Sequence, residues 1–224
     1  MTLVCWENMI MNAINIPQPI VFIVDDNKHI HVYISKLMQS IHLKVISYYC
    51  AKDFLENFQP NQPGCLLLDL RMPDMSGLEL YEWMRIRDLC LPVIMLTSYG
   101  DVATVKRAFV GKIFDFIEKP FPQQYLLEQV QKAIKQDAIC RQEKQKRQEL
   151  QARLDTLTLK EREVMMKLVQ GKSIKVIAYE LNITHKTVDN HKTSIMRKMQ
   201  VHNLVELVHI ALFCNLLPPP YNLI

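Results

Sequence analysis

CLLLDLRMPDMSGLEL, residues 65–80, decides the fold. The stretch runs three leucines, Leu66 to Leu68, straight into Asp69. Its apolar part is bounded by Gly64 and Pro73, which is strand-length and not helix-length, and it predicts a buried strand over Cys65–Leu70. A carboxylate at the end of such a strand costs desolvation energy unless a metal, a cation or chemistry meets it. Asp69 is therefore the first candidate functional residue.

Outward from it, short apolar runs alternate with amphipathic stretches. Strands are expected over Ile20–Val24, Lys44–Tyr48, Pro92–Thr97 and Asp115–Glu118. Helices are expected over Lys28–Ser40, Ala51–Phe58, Gly77–Asp88 and Val102–Val110, with another from near Pro122. This alternation predicts an α/β domain whose parallel sheet is covered on both faces. Ligand sites in such sheets form at the carboxyl ends of the strands. Asp25, Asp26, Asp69, Thr97 and Lys119 all fall there, so the fold would gather them on one edge.

Singly, each has a plain role. Asp25 and Asp26 suit caps on the following helix, and Asp69 suits a structural salt bridge with Lys119. Together they suggest more. Three carboxylates at strand ends are hard oxygen donors suited to Mg²⁺, which uses few protein carboxylates and keeps several waters. A lysine beside them adds nothing to metal binding but suits pairing with an incoming anion.

A length of 224 residues suggests one or two domains, and the rest of the chain favours two. Tyr125–Leu154 is a long helix candidate without Gly or Pro, and its stretch RQEKQKRQELQAR (141–153) is polar enough for an exposed linker. A dimer seam through Leu126, Val130 and Ile134 is an open question. The expected organisation is an N-terminal extension over 1–17, the α/β domain over 18–135, a linker helix over 136–155, a helical domain over 156–215 and a Pro-rich tail over 216–224.

Thr158 and Glu161 form a capping-box pair that opens the helical domain. Helices follow over Leu159–Gln170, from the Ser173 cap to Leu181, from the Thr184 cap to Met199, and from the Asn203 cap to Phe213. Apolar residues at helical spacing, among them Val164, Leu168, Ile177, Val188, Ile195 and Met199, would pack them together.

The net charge of +4 is unevenly placed. Up to Pro122 there are 11 Lys and Arg against 13 Asp and Glu; from Gln123 there are 16 against 10. A polyanionic partner would meet the back half. The six cysteines form no CxxC pair, which suits reduced thiols in a cytoplasmic protein. No apolar run reaches the roughly 18 residues of a membrane span. The N-terminal stretch lacks the basic region of a signal peptide, and Met9 and Met11 are alternative starts.

With these residues in place, a family resemblance is clear. Asp25-Asp26, Asp69 in DLRMPDMSG, Thr97 in MLTSYGD and Lys119 in EKPF resemble the receiver domain of bacterial two-component response regulators, most closely its FixJ branch, over residues 20 to about 135. The resemblance implies a five-stranded flavodoxin-like sheet and an Mg²⁺ ion held by Asp25 or Asp26 with Asp69 and the backbone carbonyl of Arg71. It implies Asp69 as acceptor of a phosphoryl group from a sensor histidine kinase. Lys119 and Thr97 would hold phosphoryl oxygens, Phe116 would turn inward as Thr97 moves, and the Lys119–Pro120 bond would be cis. Ser98 and the Val110-Gly111-Lys112 turn depart from the family pattern, and Tyr99 and Arg71 flank the site.

Residues 157–201 resemble the LuxR-type helix-turn-helix of NarL and FixJ regulators. Ser173–Leu181 would be the positioning helix and His185–Met199 the recognition helix, in the manner of such motifs on double-stranded DNA. Asp189, Asn190 and Thr193 are the base-edge candidates. Lys172, Lys175, Lys186, Thr187, Lys192, Arg197 and Lys198 are the phosphate candidates. Asp189 is equally suited to complementing the helix N-terminus.

The resulting expectation is a transcription factor and not an enzyme, which dimerises on phosphorylation and binds paired DNA half-sites away from any membrane. Two alternatives stand beside it. An aspartyl-phosphate enzyme is disfavoured by Arg71, which occupies the place of such enzymes' second aspartate. The other is a constitutive DNA binder whose receiver only dimerises.

Overall fold

The computed structural model describes residues 18–98 and 113–217. The expected helix over 102–110, Tyr99 and the turn at 110–112 lie outside the described residues, as do residues 1–17 and 218–224. The chain divides into two compact units, Met1–Arg141 and Gln142–Ile224.

In the first unit, β1 (Ile20–Val24), α1 (Lys28–Gln39), β2 (Lys44–Tyr48), α2 (Ala51–Asn57), β3 (Gly64–Asp69), α3 (Gly77–Ile86), β4 (Val93–Thr97) and β5 (Asp115–Glu118) follow in order. They precede the long helix α4 (Gln123–Asp155). The strands form one parallel sheet of order β2-β1-β3-β4-β5. This is the flavodoxin-like arrangement, in which the chain reverses its direction of travel between β1 and β3.

The leucine run is explained by the two covered faces. Leu66 and Leu68 join Phe22, Val24 and Met95 under α2 and α3. Cys65 and Leu67 join Val21, Ile23, Ile94 and Leu96 under α1 and the first part of α4. With apolar layers on both sides, β3 shows no polar alternation. Leu126 and Val130 are fully buried in this second layer and Ile134 packs at its margin, so they serve the domain's own core.

The structure starts and ends β3 one residue earlier than expected. Gly64 belongs to the strand, paired with Ile20. Its φ is +149°, and a Cβ there would lie 1.8 Å from the Ile20 carbonyl oxygen, so only glycine lets β1 pass this closely. The Gly64 N–H donates to Asp137 Oδ2 at 2.8 Å. Arg141 Nε donates to the same oxygen at 2.7 Å, and its other nitrogens reach the carbonyls of Pro60 and Gln62 at 3.2 and 2.6 Å. Residues expected to begin an exposed linker therefore tie α4 to the loop before β3.

The second unit holds α5 (Leu159–Val169), α6 (Ile174–Leu181), α7 (His185–Met199) and α8 (Leu204–Phe213). The Thr158–Glu161 capping box forms, and Ser173, Thr184 and Asn203 each accept a backbone N–H as N-caps. Leu154, Leu157, Val164, Leu168, Ile177, Val188, Ile195, Met199 and Leu207 make the core.

Candidate functional site

Strand ends place the first group. Asp69 is the last residue of β3, Thr97 the last of β4, Asp25 follows β1 and Lys119 follows β5. All lie on the carboxyl edge of the sheet, beside the switch between β1 and β3. Asp25, Asp69 and Thr97 are buried, whereas Asp26 is exposed. Neither aspartate caps α1; the cap is Asn27, whose side chain accepts from the His29 N–H.

Lys119 joins the two buried carboxylates, with Nζ 2.7 Å from Asp25 Oδ2 and 2.5 Å from Asp69 Oδ1. The remaining oxygens accept backbone donors. Asn27 N–H meets Asp25 Oδ1 at 2.8 Å and Arg71 N–H meets Asp69 Oδ2 at 2.9 Å. Burial, with Asp25's charge adding to it, holds the Asp69 carboxyl above the usual carboxylate range, although Lys119 and Arg71 pull the other way. Burial also presses the Lys119 ammonium down, but its two carboxylate bonds outweigh that and raise it. The pocket thus holds more negative charge than one lysine relieves.

Among the described residues no group of three or more acidic, His or Cys side chains is gathered as a metal cage. Lys119 lies between Asp25 and Asp69, and Asp26 faces solvent. The donor set still suits Mg²⁺: hard oxygens, few in number, on an open edge, with a surplus of negative charge. Thr97 Oγ1 donates to the Ser98 carbonyl at 3.2 Å and is engaged with neither carboxylate. Phe116 is half-buried against the α2–α3 layer.

One residue here was passed over in the sequence. His31, buried on α1, places Nε2 2.7 Å from the Asp25 carbonyl oxygen. A histidine at a helical core spacing gives no sign of this, because the contact depends on where β1 ends.

The second group lies on α6 and α7. Asn182 takes a left-handed conformation (φ 51°) that turns the chain between them. Val188, Ile195 and Met199 are fully buried, which leaves Lys186, Asp189, Asn190, Thr193 and Arg197 exposed on α7 and Lys175 exposed on α6. Lys192 is half-buried. Other candidates are internally engaged. The Thr187 hydroxyl lies 2.8 Å from that of Thr184 in the cap, and the Thr193 hydroxyl donates to the Asp189 carbonyl. Lys172 shares Glu180 with Lys167. Lys198 donates to buried Glu161 and to the Thr156 carbonyl, bracing α7 against the start of α5.

Comparison with known proteins matches each of the two domains to a family. Residues 21–131 match the response regulator receiver domain, and residues 155–211 match the bacterial regulatory proteins of the luxR family. The transcriptional regulatory protein TdiR of Thauera aromatica is 37% identical over 195 residues, covering 86% of this chain and 85% of that protein. The transcriptional regulatory protein FixJ of Rhizobium meliloti is 34% identical, covering 86% and 94%. Among solved structures, the response regulator StyR superposes with a TM-score of 0.75 at 36% identity, covering 87% of this chain and 98% of that one. Full-length FixJ from B. japonicum gives 0.54 at 30% identity, covering 91% and 100%.

Proposed function

Because this chain belongs to the FixJ/NarL-type two-component response regulators, a receiver domain followed by a LuxR-type helix-turn-helix, we propose that Asp69 is the residue through which a phosphoryl group controls its DNA binding. The architecture is that of phosphorelay-regulated transcription factors and not of an enzyme. Among the described residues no helix is long and apolar enough to cross a membrane.

The observation that carries the reading is the Lys119 bridge between Asp25 and Asp69 at the end of β3. An Asp69 oxygen attacks the phosphorus of a phosphohistidine on a sensor kinase. The P–N bond breaks, its electron pair stays with the imidazole, which takes up a proton, and an acyl phosphate remains on Asp69. Asp25, Asp26, Asp69 and the Arg71 carbonyl are the residues that would hold Mg²⁺. When bound, the ion supplies charge neutralisation for the phosphoryl oxygens. Lys119 leaves Asp25 for one of those oxygens, and Thr97 gives up the Ser98 carbonyl to donate to another. Phe116, beside Met95 in the sheet register, follows Thr97 inward. The altered face favours a homodimer, and two recognition helices then reach paired half-sites through Asp189, Asn190 and Thr193. Lys175, Lys186, Lys192 and Arg197 carry the phosphate contacts, with Lys172, Thr187 and Lys198 joining them only if they leave their present partners.

Intact-mass measurement after treatment with acetyl phosphate and Mg²⁺ tests this. One added phosphate is expected on the natural chain and none on Asp69→Asn. Phosphate persisting on the variant sinks the assignment.

A further inference from the structure

Asp25 has four polar atoms, and each has a partner. Its N–H donates to the Tyr48 carbonyl at 3.2 Å, Oδ1 accepts from the Asn27 N–H, and Oδ2 accepts from Lys119. The carbonyl lies beyond the end of β1, and its donor is the His31 side chain at 2.7 Å. Side chains on a helix lean toward its N-terminus, which lets position 31 reach back over the first turn of α1 to a residue before the cap. A carbonyl only accepts, so Nε2 is the donor in this bond. Nδ1 is buried without a hydrogen-bond partner among the described residues, and the ring packs on Tyr49 with centroids 4.5 Å apart. An apolar side chain would fill the same space without stranding a nitrogen. Packing alone therefore gives no reason for an imidazole here; the bond to Asp25 does.

We propose that His31 is a positioning residue for the divalent-cation site: by holding the Asp25 carbonyl it fixes the backbone from which the Asp25 carboxylate is presented. The inference rests on the reading of Asp25 as a metal-holding residue. Outer partners that orient a ligand commonly change metal affinity by ~10- to 100-fold when removed. His31→Phe keeps a ring and removes the donor, whereas His31→Gln keeps a donor and removes the ring.

The test is calorimetric titration of the full unphosphorylated chain with Mg²⁺ alone, beside melting temperatures in metal-free buffer. The expected result is about tenfold weaker Mg²⁺ binding in His31→Phe and affinity within about twofold of the natural chain in His31→Gln. Equal affinity in His31→Phe and the natural chain overturns the proposal. So does an equal loss in both variants, which would mean that the ring matters only as filling. If the Phe variant does not fold, His31→Met serves as the donor-free form under the same criteria. Asp25→Asn separates the two levels. If the natural chain binds no Mg²⁺, or Asp25→Asn binds it undiminished, the metal reading itself fails and this inference falls with it.

Discussion

Lys119 Nζ stands 2.5 Å from Asp69 Oδ1 while also holding Asp25, so one ammonium restrains two buried carboxylates. Removing it leaves like charges facing each other in a partly desolvated pocket. Lys119→Met is expected to destabilise the receiver by about 2–3 kcal/mol in metal-free buffer. Mg²⁺ should recover much of that loss, because a cation then replaces the missing charge. Melting curves of the full chain with and without Mg²⁺ check this. A loss that Mg²⁺ does not reduce would mean that Lys119 acts mainly through packing.

Gly77 opens α3 where the helix presses against the end of β3. A Cβ at Gly77 would lie 2.2 Å from the Asp69 carbonyl oxygen and 3.1 Å from Leu68 Cγ. Backbone cannot yield that far without moving Asp69. Gly77→Ala is expected to cost about 2 kcal/mol or more by overpacking, and to slow acetyl-phosphate labelling of Asp69 more than it lowers the melting temperature would suggest. Labelling at the natural rate would show that the helix shifts without disturbing Asp69.

These two cases show how far the sequence can be read. The bounds of β1, β2 and β5 match because each is built around a short apolar or β-branched run. The first residue of β3 does not, since Gly64 reads as punctuation and its reason for being in the strand is the backbone of Ile20. Asp25, Asp69, Thr97 and Lys119 were legible because a parallel sheet delivers strand ends to one edge. His31, Asp137 and Arg141 were not. Their meaning lies in partners such as Gly64, 73 positions from Asp137, and a polar helix looks the same with or without them. Side-chain engagement was equally hidden: nothing in the order of residues says that Lys198 braces Glu161 while Arg197 stays exposed.

Arg141 satisfies a carboxylate that burial pushes toward its neutral form. Asp137 stays above the usual carboxylate range even though Arg141 and the Gly64 N–H pull it down. Arg141→Ala removes the stronger of those partners and frees the Pro60 and Gln62 carbonyls. It is expected to cost about 3 kcal/mol, the range for a buried pair broken from one side. Hydrogen exchange of the full chain, read over 60–66 and 126–141, should show faster opening than in the natural protein. Unchanged protection there would reduce the network to a surface contact.

Glu161 gives a pH test. Burial alone would raise its carboxyl, but Lys198 at 2.6 Å, Ser194 at 2.6 Å and the Thr158 N–H at 2.8 Å overcome this and hold it down to about 2. A carboxyl depressed in the folded state contributes stability that is whole above the ordinary glutamate value of about 4.3. That stability is lost as pH falls from there toward 2. The urea midpoint of α7, followed by amide NMR in the full chain, should therefore fall between about pH 5 and pH 3 in the natural protein. Glu161→Gln should begin about 1–3 kcal/mol lower at neutral pH and slope less across that window. Parallel slopes would show that other acids set the acid limit of this unit.

On the recognition helix, Asn190 and Lys186 separate two kinds of contact. Both are exposed near the start of α7, but an amide can pair bidentately with adenine, whereas an ammonium meets phosphate as a point charge. With a site selected from random-sequence DNA, Asn190→Ala is expected to lose about 1–3 kcal/mol of discrimination at one or two base positions. Its binding to unrelated DNA should change little. Lys186→Ala should weaken selected and unrelated DNA alike and lower the slope of log K against log salt by about 1. Phosphorylated protein should be used for both, so that the comparison is made in the binding-competent state. If Asn190→Ala keeps its base preferences, the reading role passes to Asp189 or Thr193. If Lys186→Ala leaves the salt slope unchanged, its charge lies away from the DNA backbone.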